Sequence, residues 1–321
     1  MATRLDGGIA AVDSLSVRSP RLRHALALVP PEEPFRVPRD APGASLIKLV
    51  LTRLVLELLH YEVLIRLRAD VEDIHRARST VRRLRAVLRG IRPFLDRVWA
   101  DTLREELRWF AGELASVRDI DVTLSELHSR ASAIPATERP YVDSVLEPLR
   151  NARESARLRL LGTLDSARYA ALSHSLESAA TAPRLTVLEP TAEDIGSASL
   201  RKTAARVRRA VEGASQACTP SELHNARIVV RNGRYVAEAC APVLGKRAGR
   251  LAKRLARMQE TLGAISDATL IQNRLRTLSV HDRTGIVVGE LLALQAAEGE
   301  RARRGWESMR RKALREGWLH V

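Results

Sequence analysis

The sequence predicts an all-α protein made of two pseudo-symmetric four-helix bundles that form a basic cleft. From residue 45 onward, apolar residues recur at spacings of three and four, which is the period of an amphipathic helix. The helical region also divides into two halves that repeat each other's motifs, and 321 residues leave room for two domains. Because a helix must bury its apolar stripe against other helices, two four-helix units are the economical arrangement.

Prolines set the boundaries of these bundles. Residues 1–44 form a leader that we expect to be extended, because closely spaced prolines cannot sustain a helix or a central strand. The first predicted bundle spans 45–181 and the second spans 194–321, with a proline-bracketed linker at 182–193 between them. The leader is marked by Pro20, Pro30, Pro31, Pro34, Pro38, Pro42 and Gly43.

One repeated motif reads H-x-x-R-x-x-x-R-x-x-R. It occurs at 75–85 and again at 224–234, and each residue of the second copy lies 149 positions after its counterpart. Helix-start signals precede both copies. The Thr-Pro-Ser-Glu run at 219–222 is a capping box, and Asp70 with Asp73 is a looser version. Both motif histidines are therefore predicted to lie five residues into their helices.

A second repeat is a pair of apolar stripes. The two stripes lie 148 positions apart, and each ends near an aspartate, Asp119 in the first half and Asp267 in the second. We expect each stripe to be the core-facing side of the third helix of its bundle. The stripes consist of Leu103, Leu107, Phe110, Leu114 and Val117, and of Leu251, Leu255, Met258, Leu262 and Ile265.

The chain carries a large excess of positive charge. Lysine and arginine number 53 against 38 acidic residues, a net charge of +15, which predicts a polyanionic partner. Aromatic residues make up only 3% of the chain, which argues against reading single-stranded bases by stacking. No run approaches ~18 uninterrupted apolar residues, and no secretory signal is evident. Cys218 and Cys240 lack metal-type spacing and favour a reduced pair. We therefore expect a soluble cytoplasmic protein with no membrane partner.

The positive charge is arranged in rows on helix faces. On a helical wheel His75 and four arginines share the face opposite the apolar residues, and the His224 helix repeats this row with three arginines. Like charges spaced ~5–6 Å apart are destabilising unless an anion lies along them. The candidate binding residues, including a flanking arginine and the rows of other helices, are His75, Arg78, Arg82, Arg83, Arg85, Arg89, Lys202, Arg206, Arg209, His224, Arg227, Arg231, Arg234, Lys246, Arg250, Lys253 and Arg257.

The role that best fits the two histidines is that of an anion ligand. Neither has a His, Cys or carboxylate at a convincing i,i+4 ligand spacing, so no metal or other cofactor is predicted. As an acid or base, each would need a nucleophile or carboxylate partner, and the neighbouring positions offer arginines instead. We expect those arginines to lower the histidine pKa in the free protein and a bound polyanion to raise it.

At these residues the sequence resembles the CHAD family, the conserved histidine α-helical domain. The run at 75–85 and LASVRDIDV at 114–122 resemble the hallmarks of its first repeat. The run at 224–238 and LGAISD at 262–267 resemble those of the second. The resemblance covers about 46–317, nearly the whole helical region.

The resemblance implies two helical bundles that bind inorganic polyphosphate without acting on it, with targeting to polyphosphate granules as a corollary. Family members are often fused to a catalytic triphosphate-tunnel domain, but its E-x-E-x-K motif occurs nowhere in this sequence. No enzyme activity is therefore expected. One departure from the repeat is Asn232-Gly233 in place of Arg83-Leu84. We expect it to weaken the core contact of the second histidine helix, so that the two halves contribute unequally.

Two alternatives stay open at the level of the residues. A non-specific nucleic-acid-binding protein would use the same positive charge to hold phosphates. A metal-dependent phosphohydrolase would need clustered carboxylates, and the candidates are Asp119, Asp121 and Asp267, each of which could equally pair with an arginine.

Overall fold

The computed structural model describes residues 36–67, 70–131, 139–186, 190–214, 219–277 and 283–319. Within these ranges it contains nine α-helices, one short 3-10 helix and no strand, so the predicted all-α class is confirmed. Most of the predicted leader, residues 1–35, lies outside the described residues. The pseudo-symmetry of the two halves and the cleft stay predictions.

The chain forms two compact units. Unit 1 includes Ala44–Glu189, and unit 2 combines Phe35–Gly43 with Pro190–Val321. The helices of unit 1 are α1 (Gly43–Leu67), α2 (Val71–Gly90), α3 (Arg97–Ala131), α4 (Arg139–Leu164) and α5 (Ala167–Thr181), with the 3-10 helix at Arg92–Phe94. The helices of unit 2 are α6 (Ala192–Gly213), α7 (Pro220–Leu244), α8 (Lys246–Thr277) and α9 (Arg283–Arg315).

Unit 1 has one α-helix more than the four expected, among the residues that the structure describes. The additional helix is α5, which a short turn separates from α4. Ser166 ends that turn as the N-cap of α5, and its side chain accepts a hydrogen bond from the Tyr169 backbone N–H at 3.2 Å. A serine in extended conformation satisfies the first free N–H groups of a helix, so the chain starts a new helix at this point.

The two histidine helices begin where their capping residues predict. Asp70 caps α2 by accepting from the Glu72 backbone N–H at 3.1 Å. Thr219 and Glu222 cap α7 in a reciprocal capping box, and Pro220 is its first residue. His75 and His224 are each the fifth residue of their helix, as predicted, so the caps fix both at the same depth in the helix.

The predicted apolar stripes form the cores of the two units. All ten stripe residues are buried on α3 or α8, with at most 3% of their surface exposed. On α2, Ala77, Val81, Leu84 and Leu88 are equally buried. The basic row of unit 1 lies on the other side of this helix, away from these four residues.

Gly233 on α7 is a position of close helix packing. A β-carbon at Gly233 would stand 2.6 Å from Cγ2 of Val207 and 3.3 Å from Cγ2 of Thr203, both on α6. The expectation that this glycine weakens the contact of α7 is therefore wrong. The missing side chain lets the backbone of α7 approach α6 closely, and Val207 fills the space that a side chain would need.

Candidate anion-binding site

The basic row of α2 lies along the edge of the helix, partly covered by its neighbours. His75, Arg78, Arg82 and Arg85 are half-buried, and Arg89 is exposed. Their spacing puts them on one stripe, on the side away from the buried apolar residues. A half-buried arginine packs its apolar stem against its neighbours and can leave the terminal nitrogens of its guanidinium nearer the surface.

Arg118 on α3 joins this row next to His75. The pKa of His75 lies below its ordinary value of 6.5, first because the ring is partly buried and then because Arg118 and Arg82 repel its positive form. Arg78 adds to the repulsion, and among the described residues Glu72 opposes it. The expected direction of the shift is confirmed, and burial is a larger cause than any single arginine. Two helices thus converge on one cationic group, which we call the His75 cluster: His75, Arg78, Arg82 and Arg118.

A second group of arginines lies further along the same two helices. Arg85 on α2 has a lowered pKa, first because of burial and then because Arg104 and Arg108 on α3 repel its charge. Acidic residues partly neutralise this group. Arg104 donates to Asp101 at 2.9 Å, and Arg108 pairs with Glu105.

Some arginines of unit 1 hold a buried donor that has no acceptor among the described residues. The Nε atoms of Arg78, Arg85 and Arg104 are buried, and none of them donates to any atom of the described residues. A buried donor left unpaired costs about 1–3 kcal/mol. A phosphate oxygen is a suitable acceptor, because the guanidinium fork binds phosphate in bidentate fashion through Nε and a terminal nitrogen.

Arg83 takes a different place from the rest of the α2 candidates. Its Nη1 pairs with Glu57 of α1 at 3.1 Å, and both side chains are about one-third exposed. The wheel puts Arg83 on the edge of α2 away from the row, as a flanking residue. Its charge is already balanced by a neighbouring helix, so it adds less to the field of the row than Arg78 or Arg82 does.

The basic row of α7 in unit 2 contains fewer cationic residues than the row of α2. His224 is exposed on α7, while Arg227, Arg231 and Arg234 are half-buried. Arg234 forms an ion pair with Glu238 at 3.3 Å. In unit 1 the residue that corresponds to Glu238 is Arg89, so one cation of the unit 1 row is replaced by an anion in unit 2.

The helix next to this row explains the difference between the units. Applying the 148-residue repeat, Arg104, Arg108 and Arg118 of α3 correspond to Ala252, Ala256 and Ser266 of α8. Small neutral residues of α8 therefore take the places of three cations. Gly263 of α8 belongs to the same stretch, and the site of its absent β-carbon lies 3.9 Å from Nη2 of Arg227.

The remaining candidates lie on other surfaces of unit 2. Lys246, Arg250, Lys253 and Arg257 are exposed on the face of α8 opposite its core stripe. On α6, Lys202 and Arg209 are exposed and Arg206 is half-buried. These residues form solvated cationic stripes, and no bound group is needed to explain them.

The structure does not bring the candidate metal-binding carboxylates Asp119, Asp121 and Asp267 together in its described part. Asp121 is buried on α3 and accepts from Nε of Arg153 on α4 at 2.5 Å. Asp119 is exposed, and the side chain of Asp267 is not among those described. Among the described side chains, no group of three or more His, Cys, Asp or Glu is placed to hold a metal ion.

Two further features bear on the sequence predictions. Cys240 is a free thiol whose burial raises its pKa to about 12, so it stays protonated and unreactive. Cys218 lies outside the described residues. In the described part of the chain, no helix is both long enough and apolar enough to cross a bilayer.

Comparison with known proteins identifies the class to which this fold and site belong. A family model, the CHAD domain, matches residues 49–276. The chain therefore belongs to the CHAD domain family, as its motifs predicted. No curated protein sequence matches the chain.

Two solved structures resemble it in fold. PptA from Streptomyces chartreusis has a TM-score of 0.62 and 23% identity, and the match covers 84% of this chain and 99% of PptA. The CHAD domain from the plant Ricinus communis has a TM-score of 0.65 and 21% identity, with 90% of this chain and 95% of that chain covered. At such identities the likeness concerns the fold alone.

Proposed function

We propose that this protein binds long-chain inorganic polyphosphate and does not hydrolyse it. The observation that carries the proposal is the His75 cluster, in which two helices of unit 1 bring three arginines around a half-buried histidine. Such convergence of like charge costs free energy in the free protein and is relieved by a bound polyanion. In a cell, this binding would direct the protein to polyphosphate granules of the cytoplasm.

The chemistry of the row favours phosphate over other anions. Arginine supplies a planar fork of donors that matches phosphate oxygens, and the buried Nε atoms of Arg78 and Arg85 supply donors that need such an acceptor. The row follows a helix face and is open along its length, which suits a linear chain of phosphates.

Nucleic acid is the rival ligand, because its backbone presents phosphates as well. With 3% aromatic residues the chain offers little surface for base stacking, so we expect polyphosphate to win a direct competition. The test is a titration of fluorescent single-stranded and duplex DNA off the protein with long-chain polyphosphate, at about 150 mM salt, where phosphate contacts alone are weakened. Retention of DNA under excess polyphosphate would make nucleic acid the physiological partner.

Affinity should rise with the length of the polyphosphate chain. A chain of about a hundred phosphates offers many overlapping registers along one row and can reach a second row without a new encounter. Calorimetry at equal total phosphate should therefore give tight binding for this chain, weak binding for tripolyphosphate, and little heat with pyrophosphate or orthophosphate. Equal affinity for triphosphate and the long chain would replace the extended row by a small pocket.

Polyphosphate should remain intact after hours with the purified protein and magnesium or manganese. Hydrolysis of a phosphoanhydride needs a metal held by carboxylates or a nucleophile with its base. The groups around His75 stabilise charge that the ligand carries in its ground state and transition state alike, which does not accelerate a reaction. Release of orthophosphate above a heat-denatured control, and its loss in His75→Ala, would instead establish a phosphohydrolase.

A further inference from the structure

We propose that His75 makes the binding of polyphosphate proton-linked: the ligand draws a proton onto His75, and unit 1 holds polyphosphate more tightly as the solution becomes more acidic through the neutral range. The inference rests on the proposed function and adds its regulation by pH. It concerns unit 1 specifically, because the matching histidine of unit 2 has different surroundings.

The geometry of the His75 cluster makes the histidine sensitive to a bound anion. Its ring is half-buried, so water screens its neighbours poorly. The charged groups that act on it are Arg78, Arg82 and Glu72 from its own helix and Arg118 from α3. Three of these four are cations.

Among the described residues, the anionic neighbour of His75 is Glu72, which is only weakly available to it. Glu72 accepts a hydrogen bond from Nε of Arg76 at 2.7 Å, and both side chains of this pair are more than half exposed. Its pull on His75 is therefore shared with Arg76 and screened by water. In the free protein, burial and cationic neighbours together hold the pKa of His75 below its ordinary value of 6.5.

A bound polyphosphate reverses the balance of charge at this place. Phosphate oxygens bound to Arg78 and Arg82 would lie beside the ring and neutralise both arginines, so the charged imidazolium becomes favourable. The pKa of His75 then rises from its lowered value in the free protein. Between the two pKa values, the complex binds more protons than the free protein, and the affinity increases as the pH falls.

Unit 2 lacks the features that make His75 sensitive. His224 is exposed on α7, and the α8 residue that corresponds to Arg118 is Ser266. Water and salt screen charges around an exposed side chain, so a bound anion acts on it less strongly. This makes His224 the matched control for His75 within one chain.

The experiment is calorimetry of the full-length protein with polyphosphate of about a hundred units, at pH 7 in PIPES and in Tris. These buffers differ strongly in ionisation enthalpy, so the difference in observed heat counts the protons taken up. Nearly all phosphates of such a long chain are internal and stay ionised, so the ligand exchanges few protons itself. We expect an uptake of roughly 0.3 to 1 proton for the wild type. A pKa shift of one unit corresponds to a tenfold change, so the affinity should rise roughly three- to tenfold from pH 8 to pH 6.

The variants separate His75 from the other histidines. His75→Gln should bind polyphosphate with a reduced but measurable affinity and lose most of the proton uptake and of the pH dependence. His224→Gln should keep most of the uptake and of the pH dependence. Wild-type binding without proton uptake, or uptake that survives in His75→Gln, would overturn the inference and leave the proposed function standing. Absence of polyphosphate binding in the wild type would overturn both. The wild-type measurement requires no variant to fold.

Discussion

Replacing Arg78, Arg82 and Arg118 together by alanine is expected to lower the affinity for long-chain polyphosphate by on the order of a hundredfold or more. A hydrogen bond to a charged group contributes about 1.5–3 kcal/mol when it is well shielded from water. The three side chains are half-buried, so we assume about 1 kcal/mol for each. Because about 1.4 kcal/mol is a factor of ten, three such contacts give this loss. Fluorescence or calorimetric titration at fixed salt measures it.

The matched variant in unit 2 replaces Arg227, Arg231 and Arg234. Each side chain is also half-buried, so the two triple variants remove the same number of charges from similar depths. We expect the affinity of the unit 2 variant for polyphosphate to fall only about tenfold. The reason is that α8 carries no cation at the positions that correspond to Arg104, Arg108 and Arg118 of α3. Circular dichroism should report unchanged helicity for both. Equal losses would mean that the two rows bind independently of their neighbouring helices.

The dependence of affinity on salt gives an independent count of the phosphate contacts. Each phosphate that a cation neutralises releases counterions, which steepens the fall of affinity with salt. The unit 1 variant should therefore show a clearly shallower slope than the wild type. An affinity loss with an unchanged slope would indicate that the substitutions had altered the fold of α2 rather than removed phosphate contacts.

Local sequence rules were sufficient to predict the helices that carry the site. The capping residues Asp70 and Thr219 fix where α2 and α7 begin, and helical periodicity then fixes which side chains share a face. Both signals lie within a few residues of the structure they determine. The depth of His75 and His224 in their helices could therefore be predicted without knowing the rest of the fold.

The sequence predicted contacts between helices less well than it predicted the helices themselves. Arg104, Arg108 and Arg118 were not among the predicted binding residues, because the prediction for α3 rested on its apolar stripe. They recur at helical period along the edge of that stripe, with Ala111 and Ala115 between them. A stripe of arginines and alanines beside an apolar stripe predicts that this edge of the helix is positively charged. Which helix that edge faces depends on the packing of the whole unit, and periodicity does not supply that.

Gly233→Leu should destabilise unit 2 by about 3 kcal/mol or more, because overpacking a well-filled core typically costs 1–3 kcal/mol even for smaller insertions. In unit 1 the corresponding residue is Leu84, which is fully buried, so the repeat alone would suggest that leucine fits. The structure opposes this substitution. The first carbon of any side chain at Gly233 would stand 2.6 Å from Val207, whose branched side chain is stiff in a helix.

The control for this substitution is Gly249→Leu on α8. A β-carbon at Gly249 meets no atom within 4 Å among the described residues, so leucine there should cost little and should gain up to about 1 kcal/mol of helix propensity. Thermal unfolding followed by circular dichroism should show a melting temperature several degrees lower for Gly233→Leu, at about 2–4 °C per kcal/mol, and little change for Gly249→Leu. If both variants have the same melting temperature, the close approach of α6 and α7 does not require glycine at residue 233. If Gly233→Leu alone is destabilised, α7 requires glycine at the position where α2 has the buried Leu84, because the backbone of α7 approaches Val207 of α6 too closely for a side chain.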